Sequence, residues 1–132
     1  MKKLGHLNRD IARVLAGMGH TDSVVIADCG LPIPDGVECI DVSLTLGVPG
    51  FFDVLDSVLA DFKAERVVFA SECLTQNAAV AERMTQLRDA QIAIDDVPHE
   101  EFKRLCQQAK AVIRTGECSP YANVILHSGV IF

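Results

Sequence analysis

Two histidines, one aspartate, one tyrosine and one asparagine are the residues of this chain whose chemistry first asks for an explanation. His20 and Asp28 stand in "MGHTDSVVIADCGLP", His99 in "VPHEEF", and Tyr121 with Asn123 in "ECSPYANVIL". An imidazole ordinarily titrates near neutrality, so either histidine is a candidate for moving a proton. A carboxylate accepts hydrogen bonds, whereas a phenol and a carboxamide both donate and accept. Without a concentrated cationic clamp, this set suits a neutral polyol better than a phosphate. Each residue also has a plainer structural reading. His20 would cap the end of a helix, where unpaired carbonyls favour a cation, and Asp28 would open a turn. His99 would head a helix with two acidic residues in its first turn, and Asn123 with Pro120 would hold a loop. Cys29 follows a strand as a nucleophile would, but no motif partner accompanies it.

The elements that must position these residues are legible from periodicity. In "LNRDIARVLAGMG", Asn8 is the expected N-cap, Ile11, Val14, Leu15 and Met18 form one apolar stripe, and Gly17 or Gly19 ends the helix. "SVVIAD" reads as a buried strand, "CGLPIPDG" as a structured loop and "VECIDVSL" as a second strand. "VPGFFDVLDSVLADFKAE" supplies a helix, "RVVFAS" a strand, and "LTQNAAVAERMTQLRDA" one helix capped near Thr75. "QIAID" is a short strand and "PHEEFKRLCQQAK" a helix; "AVIRTG" and "NVILHSGVIF" are the last strands. The alternation predicts a single three-layer α/β/α domain over residues 1–132, its central sheet mainly parallel with mixed pairing left open. In such sheets ligands bind beyond the carboxyl ends of strands, where Asp28 is expected. The apolar ending "VIF" is expected to complete the sheet or meet another subunit.

Composition removes several classes of function. At 132 residues the chain fits one core, burying roughly 65 to 70% of its unfolded surface. Its formal charge of −6, from 12 basic and 18 acidic residues, disfavours nucleic acid and anionic membranes as partners. No apolar run reaches the roughly 18 residues of a membrane span, and "MKKLGHLNRD" lacks the apolar core of a signal peptide; a cytoplasmic protein is expected. The five cysteines have no CxxC spacing and no paired histidines beside them, so reduced, mostly buried thiols are expected rather than a zinc site. GxGxxG, GxxxxGK[ST] and GxSxG are absent, which leaves nucleotide cradles and the serine-hydrolase elbow unsupported.

Longer blocks carry a resemblance. "MGHTD", "ADCGLPIPDG", "HEEFK", "AVIRTGECSPYAN" and the terminal "SGVIF" are similar to the sugar mutarotase family nearly from end to end, and "GLPIPDG" and "SPYAN" resemble its ribose-acting branch rather than its fucose-acting one. The resemblance implies interconversion of the pyranose and furanose rings of free D-ribose, in support of ribose uptake and phosphorylation, by an enzyme without metal or other cofactor. It implies His20 as proton donor and Asp28, His99, Tyr121, Ala122 and Asn123 as substrate-binding residues. It also implies a homo-oligomer, a decamer of two stacked rings with active sites between subunits; His20 and Asp28 of one subunit are expected to face Tyr121 and Asn123 of the next. Opening a hemiacetal is general acid–base work; His99, Tyr121 and water stay open as the base. Two alternatives remain, an L-fucose-type mutarotase and a sugar-binding module without catalysis.

Overall fold

The computed structural model describes residues 1–132. Asn8 Oδ1 accepts from the N–H groups of Asp10 and Ile11, both at 3.0 Å, and so starts helix α1 (Arg9–Ala16), which Gly17 closes. The chain then enters β1 (Ser23–Ala27), every residue of which is buried. It continues through β2 (Glu38–Asp41), α2 (Phe51–Leu59), β3 (Ala64–Ala70), α3 (Cys73–Gln76), α4 (Ala78–Asp89), β4 (Ala93–Val97) and α5 (His99–Leu105). A 3-10 turn (Cys106–Gln108) leads into β5 (Ala111–Arg114), and β6 (Val124–Ser128) is the last strand.

The six strands form one sheet in the order β2-β5-β1-β6-β3-β4. β1 pairs in parallel with β5, β5 with β2, and β3 with β4, while β6 runs antiparallel between β1 and β3. The sheet is therefore mixed, and five of its strands point the same way. Successive side chains alternate between two cores, as the strand pleat requires. Val24, Ile26, Val67, Phe69, Val124 and Leu126 meet α1, α2 and α4 on one face. Val25, Val68, Val112 and Ile125 meet Phe102 and Cys106 on the other, so the layering is α/β/α with the heavier helical layer on the first face.

Two expectations need correction. The helix after β3 is not continuous from Thr75: it breaks at Asn77, whose Oδ1 accepts from Val80 N–H at 3.3 Å and starts α4. Asparagine is a strong N-cap because its side chain replaces the missing carbonyl partner. The terminus does not complete the sheet either. β6 stops at Ser128, and Ile131 and Phe132 are 89% and 101% exposed.

Candidate active site

Because β1, β3, β4 and β5 share one direction, their carboxyl ends bring Asp28, Glu72, His99 and the 115–123 loop to one edge of the sheet. Asn123, fully buried at the start of β6, joins two of these segments. Its Oδ1 accepts from Asp28 N–H at 2.8 Å and its Nδ2 donates to Asp28 Oδ2 at 2.7 Å. Asp28 Oδ1 accepts from Gly30 N–H at 2.9 Å. The carboxylate is thus held at both oxygens yet stays partly open to solvent, with lone pairs left for a ligand's hydroxyls.

His99 begins α5, and its backbone N–H donates to both carboxylate oxygens of Glu72, at 3.1 and 3.0 Å. Bonding to Glu72's own backbone and to that N–H holds this carboxyl below its ordinary value. The imidazole of His99 stacks on Phe102 at 6.3 Å and meets the ring of Tyr121 edge-on at 5.1 Å. Its Nδ1 is the one buried side-chain nitrogen or oxygen without a hydrogen-bond partner. An orphan of this kind ordinarily costs about 1–3 kcal/mol.

The Tyr121 loop is built with equal care. Tyr121 has φ of 57°, unusual for a residue with a side chain, and its neighbours hold it there. Asn77 Nδ2 donates to Pro120 O at 2.8 Å and to Ser119 Oγ at 3.0 Å. The Glu117 carboxylate gathers the N–H groups of Phe51, Cys118 and Ser119 at 3.0 to 3.1 Å. Burial pulls that carboxyl up, but the backbone donors together outweigh it and hold it below the usual range. Arg114 ties the loop after β1 to the same edge, donating to Cys29 O and to Asp41. Ala122 is completely buried in the larger core, so in this chain it bears on the site by placing its neighbours Tyr121 and Asn123.

His20 lies elsewhere. It precedes β1, so the strand separates it from Asp28 by roughly 17 Å at 3.3 Å per residue. Its surroundings are the amino end of β3 and the carboxyl end of β6, where it lines a cleft of about 320 Å³ with Leu15, Met18 and the chain's last residues. Its Nε2 meets Glu65 Oε2 at 3.0 Å, so a carboxylate faces the imidazole. The expected division of the site is corrected here. Asp28, His99, Tyr121 and Asn123 stand together in one chain, bonded or in contact, and His20 alone is at the opposite edge.

Glu72, Asn77, Arg114 and Glu117 escaped the sequence reading. Asn77 had a legible signal, an asparagine directly before an alanine-rich helix; the other three act through partners at least 27 residues away or through loop backbone. No three histidine, cysteine, aspartate or glutamate side chains come together as metal ligands, and no helix is long and apolar enough to cross a membrane.

Comparison with known proteins adds to this geometry. The model of the RbsD / FucU transport protein family matches residues 1–131. A D-ribose pyranase of Chromobacterium violaceum is 70% identical and one of Shouchella clausii 60% identical, each over 132 residues and the full length of both chains. Bacillus subtilis RbsD, whose structure was solved complexed with D-ribose, superposes with a TM-score of 0.96 at 49% identity over the whole of both chains. A fucose mutarotase of Streptococcus pneumoniae in complex with L-fucose gives 0.78 at 25% identity, covering 96% of this chain and 95% of that one.

Proposed function

The chain belongs to the RbsD / FucU transport protein family, and from that membership we propose that it is a D-ribose pyranase, interconverting the pyranose and furanose forms of free D-ribose. The observation that carries the reading is the convergence of the Asp28 carboxylate, the unpartnered His99 Nδ1 and the strained Tyr121 loop at one sheet edge, in a chain so similar throughout to D-ribose pyranases. These groups offer acceptors and mixed donors to uncharged hydroxyls. Asp28, His99, Tyr121 and the loop through Ala122 and Asn123 bind the sugar. His20 gives a proton to the ring oxygen as the anomeric hydroxyl loses its own, and the open aldehyde recloses through the C4 hydroxyl to give the furanose. General acid–base groups of this kind typically contribute about 10² to 10⁴ in rate.

A site of this composition draws His20 from another copy of the chain. Two apolar patches at opposite sheet edges support that assembly. Leu44 and Leu46, 82% and 77% exposed, flank the Asp28 edge, and Ile131 and Phe132 flank the His20 edge. Unlike patches that pair head to tail generate rings when the rotation closes; the stacking of two such rings into a decamer is what the family resemblance implies. Five unpaired thiols suit a reducing compartment, and we place the enzyme in the cytoplasm, where its product feeds phosphorylation.

Saturation-transfer NMR on D-ribose tests the activity: exchange between ring forms should quicken with enzyme and no added metal or nucleotide. Unchanged exchange, or faster exchange of L-fucose anomers only, would overturn it. Mixing tests the assembly. His20→Ala and His99→Ala subunits, each inactive, should regain activity at about a quarter of the sites in random mixed rings. No recovery in verified mixed oligomers would refute the shared site.

A further inference from the structure

We propose that Ser57, His6 and Asp61 form a second, nucleophilic site, suited to acyl transfer from a small ester with an apolar acyl group. Asp61 also lines the His20 cleft, but Ser57 and His6 lie apart from both it and the Asp28 edge, and the site does not rest on the ribose reading. His6 is buried, and its Nδ1 lies 3.1 Å from Asp61 Oδ2. Its Nε2 lies 2.9 Å from Ser57 Oγ. The tautomer follows from these partners. A carboxylate can only accept, so Nδ1 carries the hydrogen and Nε2 presents its lone pair to the serine hydroxyl. Ser57 therefore donates to a base that is itself oriented by a carboxylate, the nucleophile–base–orienter connectivity of acyl-transfer enzymes.

The surroundings are shaped for this contact. Gly5 has φ of 76°, a backbone conformation that side chains rarely adopt, and a Cβ there would stand 2.8 Å from Asp61 Oδ2 and push the carboxylate aside. The His6 backbone N–H also faces Asp61 Oδ2, at 3.4 Å, and Lys2 Nζ donates to His6 O at 3.2 Å. The bond from the His6 side chain, then that from its backbone, holds the Asp61 carboxyl below its ordinary value, which keeps it ionised. Ser57 opens on a cleft of about 420 Å³ between the start of α1 and α2, with Leu7, Ile11, Val42 and Val54 as apolar lining. Asn8 lines the same cleft; with Oδ1 committed to capping α1, its Nδ2 is the donor available to a developing oxyanion.

In the reaction, Ser57 Oγ bonds to the ester's carbonyl carbon and its proton passes to His6 Nε2. The alkoxide leaves with that proton, giving acyl-Ser57 and an alcohol. Water, deprotonated by the same imidazole, then releases the carboxylic acid and restores the hydroxyl.

A fluorophosphonate probe, which reacts with activated serines, tests the site on the intact assembled protein, with the adduct located by peptide mass spectrometry. Ser57 should be modified, p-nitrophenyl butyrate should show a burst of one acyl group per chain, and both should vanish in Ser57→Ala. His6→Gln should slow labelling about 10²-fold or more, and Asp61→Asn should also slow it by turning the imidazole over. No adduct on Ser57 in folded, assembled protein, an adduct on another serine instead, or an undiminished rate in folded His6→Gln would each overturn the proposal.

Discussion

Replacing Asn123 by alanine should be among the most damaging single changes at the Asp28 edge of the sheet, and the structure says why. The side chain is fully buried and spans 95 residues of sequence to make two bonds to Asp28. The bond to the carboxylate is charge-assisted, a class worth about 1.5–3 kcal/mol, and stranding the Asp28 N–H costs about 1–3 kcal/mol more. Asp28 is partly exposed, so water recovers some of the first loss and places the sum near the low end, about 3 kcal/mol. For a chain of this length that is a fall in Tm of about 10 °C. Differential scanning calorimetry at matched protein concentration measures it, since assembly makes Tm depend on concentration. Ribose exchange should fall in the same variant, because the carboxylate loses its orientation. Asn123→Asp sharpens the test by placing two carboxylates 2.7 Å apart. One of such a pair takes up a proton more readily, so this variant should regain stability relative to wild type as the pH falls toward 4. A Tm within about 2 °C of wild type for Asn123→Ala, or no recovery of Asn123→Asp in acid, would refute the account of this edge.

Glu117→Gln should flatten the acid limb of the stability curve. The folded-state carboxyl is held below its ordinary value, so its contribution is complete above the unfolded value of about 4.3 and is lost as pH falls through the lower folded one; urea titrations between pH 3 and 7 that superpose for variant and wild type would contradict this. Gly116→Ala should destabilise the protein by about 2 kcal/mol or more, because a Cβ would meet Thr45 O at 2.5 Å and Val48 N at 2.6 Å, both rigid backbone; thermal melts of the variant give the answer. Burial pushes the thiols of Cys73 and Cys106 up to about 11 and about 12, so at pH 8 both should react with a disulfide reagent only after denaturation, while Cys118, exposed in the chain, should react before it.

Much of the fold was legible because it is local. The stripe through Ile11 and Val14 and the cap at Asn8 specify α1 within a dozen residues, and the short apolar run after Ser23 reads as the buried strand it forms. Asp28 beyond the carboxyl end of β1 followed from the same reading, and so did a sugar-like set of polar groups with no phosphate clamp. Even the Asn77 cap was written in the chain, although the periodicity on either side of it conceals the break between α3 and α4.

What tertiary structure alone decided is which of these residues meet. β6 inserts antiparallel between β1 and β3 through pairings formed across the length of the chain, which no periodicity encodes. That insertion delivers Asn123 to Asp28 and Tyr121 to His99, and it leaves His20, eight residues before Asp28 in sequence, at the other end of the same strand. The cluster of His6, Ser57 and Asp61 arises in the same way, across 51 and 55 residues. Periodicity records which face of an element avoids water, because that preference acts on each residue singly. Hydrogen bonds between distant side chains depend on where the whole sheet has put them.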